Sequence, residues 1–356
     1  MADPLLQTFQ LKHLHLKNRI ITTSHEPAYN EDGFPKDRYI AYHLERAKGG
    51  IAMTMTAGSA VVSKDSPPSF DNIHVYKDEV VPWIKKLTTA IHDQDCKIMI
   101  QLTHLGRRTS WSKGDWLPSV SSGKHREPAH KAFPKIVESW DIKRIIKEYG
   151  DAAQRMKEGG MDGVELEAQG HLIGQFMSPL TNELDSEYGG SFENRLRFTI
   201  DVLSEIRKKV GKEFIVGIRC VFDEVEEGGI TKSDGLETAK ILSNSGLVDY
   251  LNINRGRIHT DPILTKHIPI QGMRSAPHLE FAAEIKKEVN LPIFHASKIS
   301  DVATARYAIS NGLVDMIGMT RGHLADPHIV KKIKEKREDD IRPCVGATFC
   351  LDRIYQ

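Results

Sequence analysis

The chain has 356 residues, and 49 Lys and Arg stand against 48 Asp and Glu for a formal net charge of +1. That balance argues against a partner recognised by bulk charge, whether nucleic acid or an anionic membrane surface. With 40% hydrophobic and 27% charged residues the composition is globular, not disordered, and no window approaches the roughly 20 apolar residues that span a bilayer.

In chain order, short β-branched or apolar runs alternate with amphipathic stretches. Strands are predicted at 19–23, 51–56, 97–102, 163–167, 214–220, 250–254, 292–295 and 316–319. Several are apolar on both faces, as parallel strands covered on both sides are. Helices are predicted at 38–48, 80–93, 141–158, 192–210, 232–245, 279–289, 301–311 and 326–336. The first, third and fourth of these stop at Gly49-Gly50, Gly159-Gly160 and Gly211, which is C-cap chemistry. Eight such alternations predict an α/β fold of the (β/α)8 TIM-barrel type in preference to a doubly wound sheet. No G-x-G-x-x-G turn follows the first strand, as a dinucleotide fold would want.

Two connections, 103–140 and 255–277, are too long for simple turns. Both follow strands and so belong to the C-terminal face, where barrel enzymes keep their chemistry. Trp111 and Trp116 lie in the first of them. The charged run 337–340 reads as a linker. Four cysteines do not make a disulfide framework in a chain this long, and residues 1–11 lack a basic region followed by an apolar run. A reducing, cytoplasmic setting is therefore expected.

The loops after the seventh and eighth strands, 295–301 and 318–322, combine small residues with Lys298 and Arg321. Barrels commonly bind phosphate there through backbone N–H groups, and the plainer reading is two ordinary turns with surface cations. Gln101, ending the third strand, offers a donor and an acceptor together. Arg219, ending the fifth, is costly inside a barrel unless paired. Taken alone, each is as well explained by a structural hydrogen bond or ion pair.

The run from Asn182 and Asp185 through Tyr188-Gly189-Gly190-Ser191 and Glu193-Asn194-Arg195 to Arg197-Phe198 resembles the signature after strand four of the old yellow enzyme family. Asn18-Arg19-Ile20, Gln101, His104, Gly106-Arg107 and Arg219 stand where that family has its other motifs. The resemblance implies an FMN-binding barrel over residues 1–340 that passes hydride through flavin N5. It also implies that Thr23, Ser24, His25, Ala57 and Gly58 line the isoalloxazine and that Gln101 holds its pyrimidine edge. Arg219 would lie near N1 and O2, and Ser297, Lys298, Thr320 and Arg321 would hold the phosphate. A fixed cation beside N1 makes a flavin easier to reduce.

The closing segment is similar to the iron–sulfur segment of the family's long branch, which includes trimethylamine dehydrogenase and dienoyl-CoA reductase. Cys344 and Cys350 match two ligands of that motif, Ala347 replaces another, and no fourth cysteine follows before Gln356. A [4Fe–4S] cluster takes four thiolates. Residues 341–356 therefore read as the start of a degenerate or truncated iron–sulfur segment, with truncation favoured. The alternative is two unremarkable cysteines.

In the run 164–171, Glu167 falls where relatives have a hydrogen-bond donor, and an ionised carboxylate only accepts. It would repel a carbonyl oxygen and attract a cationic amine. Glu26 replaces the cysteine that bonds covalently to flavin in trimethylamine dehydrogenase, so a non-covalent FMN is expected. Two pocket carboxylates, with Trp111 and Trp116 for cation–π contact, favour a methylated amine or an N-methyl amino acid. The plainer reading of Glu167 is an ion pair with Arg107 or Arg257. The expected chemistry is oxidative N-demethylation, with Gln169 and His171 orienting substrate or relaying a proton. An NAD(P)H-dependent enoate or dienoyl reductase is the alternative, with His171 as the donor. A third reading is an electron-transferring portion that needs further domains. Expected partners are the small-molecule substrate, an electron-acceptor domain or protein, and further copies of the chain.

Overall fold

A computed structural model describes residues 3–66, 70–108, 118–128 and 133–352. Eight parallel strands close into a barrel: β1 (Ile20–Ile21), β2 (Met53–Val61), β3 (Lys97–Thr103), β4 (Gly163–Ala168), β5 (Ile215–Val221), β6 (Tyr250–Asn254), β7 (Ile293–His295) and β8 (Met316–Gly318). Each pairs with the next in sequence, and β8 returns to β1 through Ile317 opposite Ile20. The TIM barrel expected from the alternation is therefore present, strand for strand.

Both faces of these strands are buried, for two different reasons. Residues near the strand starts, among them Met53, Met99, Ile215, Tyr250, Phe294 and Met316, fill the barrel interior. A hairpin of Phe9–Leu11 against Leu14–Leu16 closes that end, with Leu11, Leu14 and Leu16 completing the same cluster. The sequence reading did not find this hairpin. Outward-facing residues such as Ile98, Val164, Val216 and Leu251 join a second cluster beneath the helices.

Those helices are α1 (Asp37–Lys48), α2 (Val80–His92), α3 (Ser139–Glu158), α4 (Phe192–Val210), α5 (Lys232–Asn244), α6 (Leu279–Lys286), α7 (Val302–Ser310) and α8 (Ile329–Lys334), one after each strand. Caps set several boundaries. Ser191 Oγ accepts from the Asn194 N–H at the start of α4, and Asp301 accepts from Thr304 at the start of α7. Thr231 and Asp234 form a capping box on α5. Such caps satisfy N–H groups that have no partner inside the helix. The last helix is shorter than predicted because Asp326 accepts from the His328 and Arg342 backbones and so holds a turn ahead of it. Four short helices were not foreseen: Leu172–Met177, Asp261–His267, Thr320–Ala325 and Phe349–Asp352. Among the described residues no helix is long and apolar enough to cross a membrane.

Candidate active site

Toward the C-terminal end of the strands the barrel interior turns polar. Glu165 on β4 accepts from Gln101 Nε2 at 2.8 Å, Asn252 Nδ2 at 2.8 Å and the Tyr250 hydroxyl at 3.0 Å. One layer further along, β4 and β5 set Glu167 opposite Arg219, and β6 sets Asn252 opposite the same arginine. Arg219 Nη1 donates to the Ser24 carbonyl and hydroxyl, both at 3.1 Å.

Above this layer lies a cavity of about 670 Å³. Its walls come from the segments after β1, β6, β7 and β8. Thr23, Ser24, His25, Arg219, Ser297, Lys298, Thr320 and Arg321 all line it, as does Glu26. The sequence-derived cofactor residues on these segments are thus brought together. Three of the others are placed differently. Gln101 is 1% exposed and spends its amide N–H on Glu165, below the cavity floor. Ala57 and Gly58 sit at a register shift between β2 and β3, behind the wall. The Ala57 N–H donates to the Tyr39 hydroxyl at 2.8 Å, and a Cβ on Gly58 would lie 2.7 Å from the Glu26 nitrogen. Gly58 is needed there because the 25–26 loop leaves no room for a side chain.

The cavity suits an anionic, ring-bearing cofactor on several grounds. Ser297 Oγ and Arg219 Nε are buried without a hydrogen-bond partner. Buried polar groups left unmade point to a missing ligand or water. Ser297 and Lys298 hold φ of 123° and 53°, a strained pair of the kind that clusters at ligand sites. Lys298 Nζ donates to the Met273 carbonyl and Arg321 Nη1 to the Pro269 carbonyl. Among the described residues neither cation is in an ion pair, so both are electrostatically open to a phosphate. Thr320 Oγ1 ties the β8 loop to β1 by hydrogen bonds to the Thr23 N–H at 2.9 Å and hydroxyl at 2.8 Å. A Cβ on Gly318 would lie 2.7 Å from Thr23 Cγ2, so the loop approaches β1 only because that residue is glycine.

The carboxyl groups behave differently from the sequence expectation. Glu167 is 2% exposed, and its oxygens accept from the Gln169 N–H at 2.8 Å and the Thr103 hydroxyl at 3.5 Å. Burial pushes its pKa up to about 8, against the Gln169 hydrogen bond and the charges of Arg219 and Arg108, which pull it down. Glu26 accepts from the Ala28 N–H at 3.1 Å and Asn72 Nδ2 at 3.4 Å, and burial raises its pKa well above the carboxylate range. Burial thus opposes the ionised form of both, which the sequence reading had taken as ionised carboxylates, because among the described residues neither is in an ion pair that repays its desolvation. The suggested pairing of Glu167 with Arg107 or Arg257 is also absent. Arg257 lies 3.1 Å from Glu224 and 2.6 Å from Glu226, while Arg107 donates to the His125 carbonyl.

Gln169 lines a second, small pocket with Arg107, Arg108, Arg257 and His259. His171 is the N-cap of the helix Leu172–Met177, 8% exposed, and lines neither space. Trp111 and Trp116 lie outside the described residues. Cys344 and Cys350 are free thiols, the second on the rim of the large cavity beside Phe349 and Leu351. Among the described residues no three His, Cys, Asp or Glu side chains are grouped to hold a metal. The iron–sulfur cluster that the sequence left possible thus finds no support, since two thiols with Ala347 between them fall short of a ligand set.

Sequence reasoning missed Asn252 and Asn254, which also line the cavity. Their signal was available, since both lie at the end of a predicted strand, as Arg219 does. Tyr29, Arg38 and Tyr42 line it from the first β–α connection and α1, and nothing in their spacing marked them. Tyr42 is joined to the site through its 2.5 Å hydrogen bond with His25 Nε2. Burial, reinforced by Arg46, holds His25 neutral, with its pKa lowered to about 3.

Comparison with known proteins gives four findings. The family model of the NADH:flavin oxidoreductase / NADH oxidase family matches residues 4–340. A Rhizobium meliloti (strain 1021) protein described as a probable N-methylproline demethylase is 68% identical over 99% of this chain and 52% of its own length. A multifunctional alkene reductase/demethylase from Caballeronia cordobensis is 48% identical over 98% of this chain and 51% of its own length. The chain therefore spans about half the length of the curated relatives it matches. Among solved structures, a complex of 2-naphthoyl-CoA reductase superposes with a TM-score of 0.90 at 26% identity, over 98% of this chain and 54% of that one.

Proposed function

The chain belongs to the NADH:flavin oxidoreductase / NADH oxidase family, and on that premise we propose that it is the FMN-binding barrel of an oxidative N-demethylase acting on a methylated amine or N-methyl amino acid. Residues 1–340 form the barrel in this reading and 341–356 a connecting segment. Ser297, Lys298, Thr320 and Arg321 would hold the FMN phosphate, Thr23, Ser24 and His25 the ring, and Arg219 its electron-rich side. Ala57 and Gly58 back that wall, and Gln101 acts through Glu165. Bound there, FMN supplies a two-electron acceptor for the methyl C–H.

The observation that carries the proposal is Glu167: a buried carboxyl with a pKa near 8, opposite the arginine of the cavity floor. An amine arrives as an ammonium ion and must lose a proton before its nitrogen lone pair can assist oxidation. A base with a pKa near the working pH is suited to take that proton. Glu167 therefore orients the amine and accepts its proton, with Gln169 and His171 positioning the turn. The resulting iminium takes up water and releases formaldehyde. The electrons leave to an acceptor domain or partner protein, and the greater length of the relatives supports this. All four cysteines are free, which supports a reducing, cytoplasmic setting.

One observation favours a second reading. Below about pH 8 Glu167 is mostly protonated, and a protonated carboxyl donates a hydrogen bond. It could then serve a carbonyl substrate, as the alkene reductase name of the Caballeronia cordobensis relative suggests. Anaerobic titration of the FMN-loaded protein separates the two. Bleaching of the flavin band by N-methylproline with release of formaldehyde is the expected result. Bleaching by NADPH but not by the amine would make the protein a reductase.

A further inference from the structure

The small pocket beside Ala168, Gln169 and Gly170 collects donors that the protein does not satisfy. Arg107, Arg108 and Arg257 line it, facing the carboxylates of Glu127 and Glu224. Arg257 is committed to Glu224 and Glu226. Glu224 is committed in turn, accepting from the Ser178 hydroxyl at 2.7 Å and the Ile230 N–H at 2.8 Å. Arg108 donates to the Ile258 carbonyl at 2.6 Å and lies 3.9 Å from Glu127.

Arg107 differs from both. It is 6% exposed, and among the described residues it is in no ion pair and its guanidinium makes one long hydrogen bond, of 3.4 Å, to the His125 carbonyl. Burial, and then repulsion from Arg257, lower its pKa to about 10. That is how a cation lacking its counter-ion behaves. Beside it Gln169 Nε2 is buried with no hydrogen-bond partner, as is His259 Nδ1. Glu127 and Glu224 offset part of the cost of burying Arg107, and a guanidinium beside the unmade Gln169 amide donor is complementary to a further carboxylate, which accepts two parallel N–H bonds from arginine.

The pocket is coupled to the proposed base. The Gln169 N–H donates to Glu167 Oε1 at 2.8 Å, and Arg108 of this pocket and Arg219 of the large cavity both act on the Glu167 pKa. An α-amino acid carries its carboxylate one carbon from its nitrogen. Glu167 lines neither space, but its neighbours Ala168 and Gln169 line the small pocket, so a substrate whose amine reached Glu167 would bring its carboxylate toward that pocket. That space is about 20 Å³, on the order of one water, so Arg107 must swing off the His125 carbonyl to admit it. A hydrogen bond that long releases easily.

We infer that Arg107, aided by the Gln169 amide, anchors the carboxylate of the substrate, so that the enzyme selects N-methyl α-amino acids over methylamines without a carboxylate. The amine half of this inference rests on the demethylase reading; the carboxylate half rests on the pocket alone.

The test measures calorimetric affinity of the FMN-loaded chain for tetrahydrofuran-2-carboxylate, which has the carboxylate and no amine, and for N-methylpyrrolidine, which has the amine and no carboxylate. Arg107→Gln should lower the affinity ratio of the first ligand to the second by about tenfold or more, with Arg107→Lys recovering part of it. In turnover the loss on N-methylproline should fall on KM more than on kcat. An unchanged ratio in Arg107→Gln, with an unaltered circular dichroism spectrum, would overturn the inference. So would failure of the unmodified protein to bind the carboxylate. If Arg107→Gln does not fold, Arg107→Lys decides, because an unchanged ratio there overturns the bidentate anchor. Should the unmodified protein oxidise neither amine while carboxylate binding still depends on Arg107, the demethylase reading fails and the anchor stands.

Discussion

At the scale of single residues, Glu167 is the group on which the proposed chemistry turns, and its burial has two measurable consequences. Its folded-state pKa of about 8 lies above that of a free carboxyl, so the native state binds more protons than the unfolded chain between those two values. The associated stability is fully present below the unfolded value, near pH 4.5, and is lost as pH rises through about 8. Glu26, Glu165 and Glu224 are shifted the same way by burial and add to the slope. These carboxyls should lower the melting temperature of the cofactor-free protein as pH rises from 5 to 8, while the buried His25, His267, His295 and His323, with lowered pKa values, act the opposite way below about pH 6.5. Glu167→Gln should make that fall shallower, because an amide does not titrate; an identical profile in the variant would mean that Glu167 is not shifted. The same substitution should cut turnover of methylated amines by about tenfold or more. Full activity in Glu167→Gln would remove the proton-accepting role. The sequence offered Glu167 as a site residue, and the structure places it beside Arg219 of the cavity floor but in neither lining; its protonation is set by neighbours brought in from β3 and β5, and no spacing within the run 164–171 carries that information.

Among the elements, the regular strands and helices were legible because each writes its own period and caps into the chain. Residues 192–210 and 250–254 were predicted with the bounds that α4 and β6 have. The closing hairpin and the short helices were not legible. Strands of three residues such as Phe9–Leu11 show no clear period, and the six residues of Leu172–Met177 are buried on every side, so they carry no amphipathic stripe. Contacts between elements leave a weaker mark, and Gly235 in α5 is the clearest. A Cβ there would lie 1.7 Å from the Phe222 carbonyl oxygen at the exit of β5. The obstacle is backbone, so it cannot rotate away. Gly235→Ala should destabilise the protein by about 1–3 kcal/mol, read as an earlier urea midpoint. It should also disturb the segment 222–224 that carries Glu224 into the small pocket. A variant as stable as the parent would show that α5 is not seated this tightly.

For the molecule as a whole, the division of labour along the barrel axis explains both what could be read and what could not. One end is sealed by apolar side chains and a hairpin and provides stability; the other is polar, strained and left open around a cavity. Strand-end logic picked out Arg219, Lys298 and Arg321, and the family resemblance added Ser297 and Thr320; all five line the cavity because a closed barrel gathers every strand end on one face. Neither could show that Gln101 would be drawn down to Glu165, since that depends on side chains from β4 and β6 meeting inside the barrel. The phosphate assignment has a consequence for the stability of the whole fold. A ligand that binds only the native state stabilises it by RT ln(1 + [L]/Kd), about 2.7 kcal/mol at a hundredfold excess over Kd. Riboflavin offers the same ring as FMN without the phosphate. At equal concentration FMN should therefore raise the melting temperature clearly more than riboflavin does. Replacing both Lys298 and Arg321 by alanine removes the cations of the loops after β7 and β8, and should bring the FMN shift down to the riboflavin shift. The riboflavin shift itself should change little, because neither side chain is assigned to the ring. If FMN and riboflavin stabilise the parent protein equally, the loops after β7 and β8 do not hold a phosphate, and the anionic end of the cofactor must be sought elsewhere on the cavity wall.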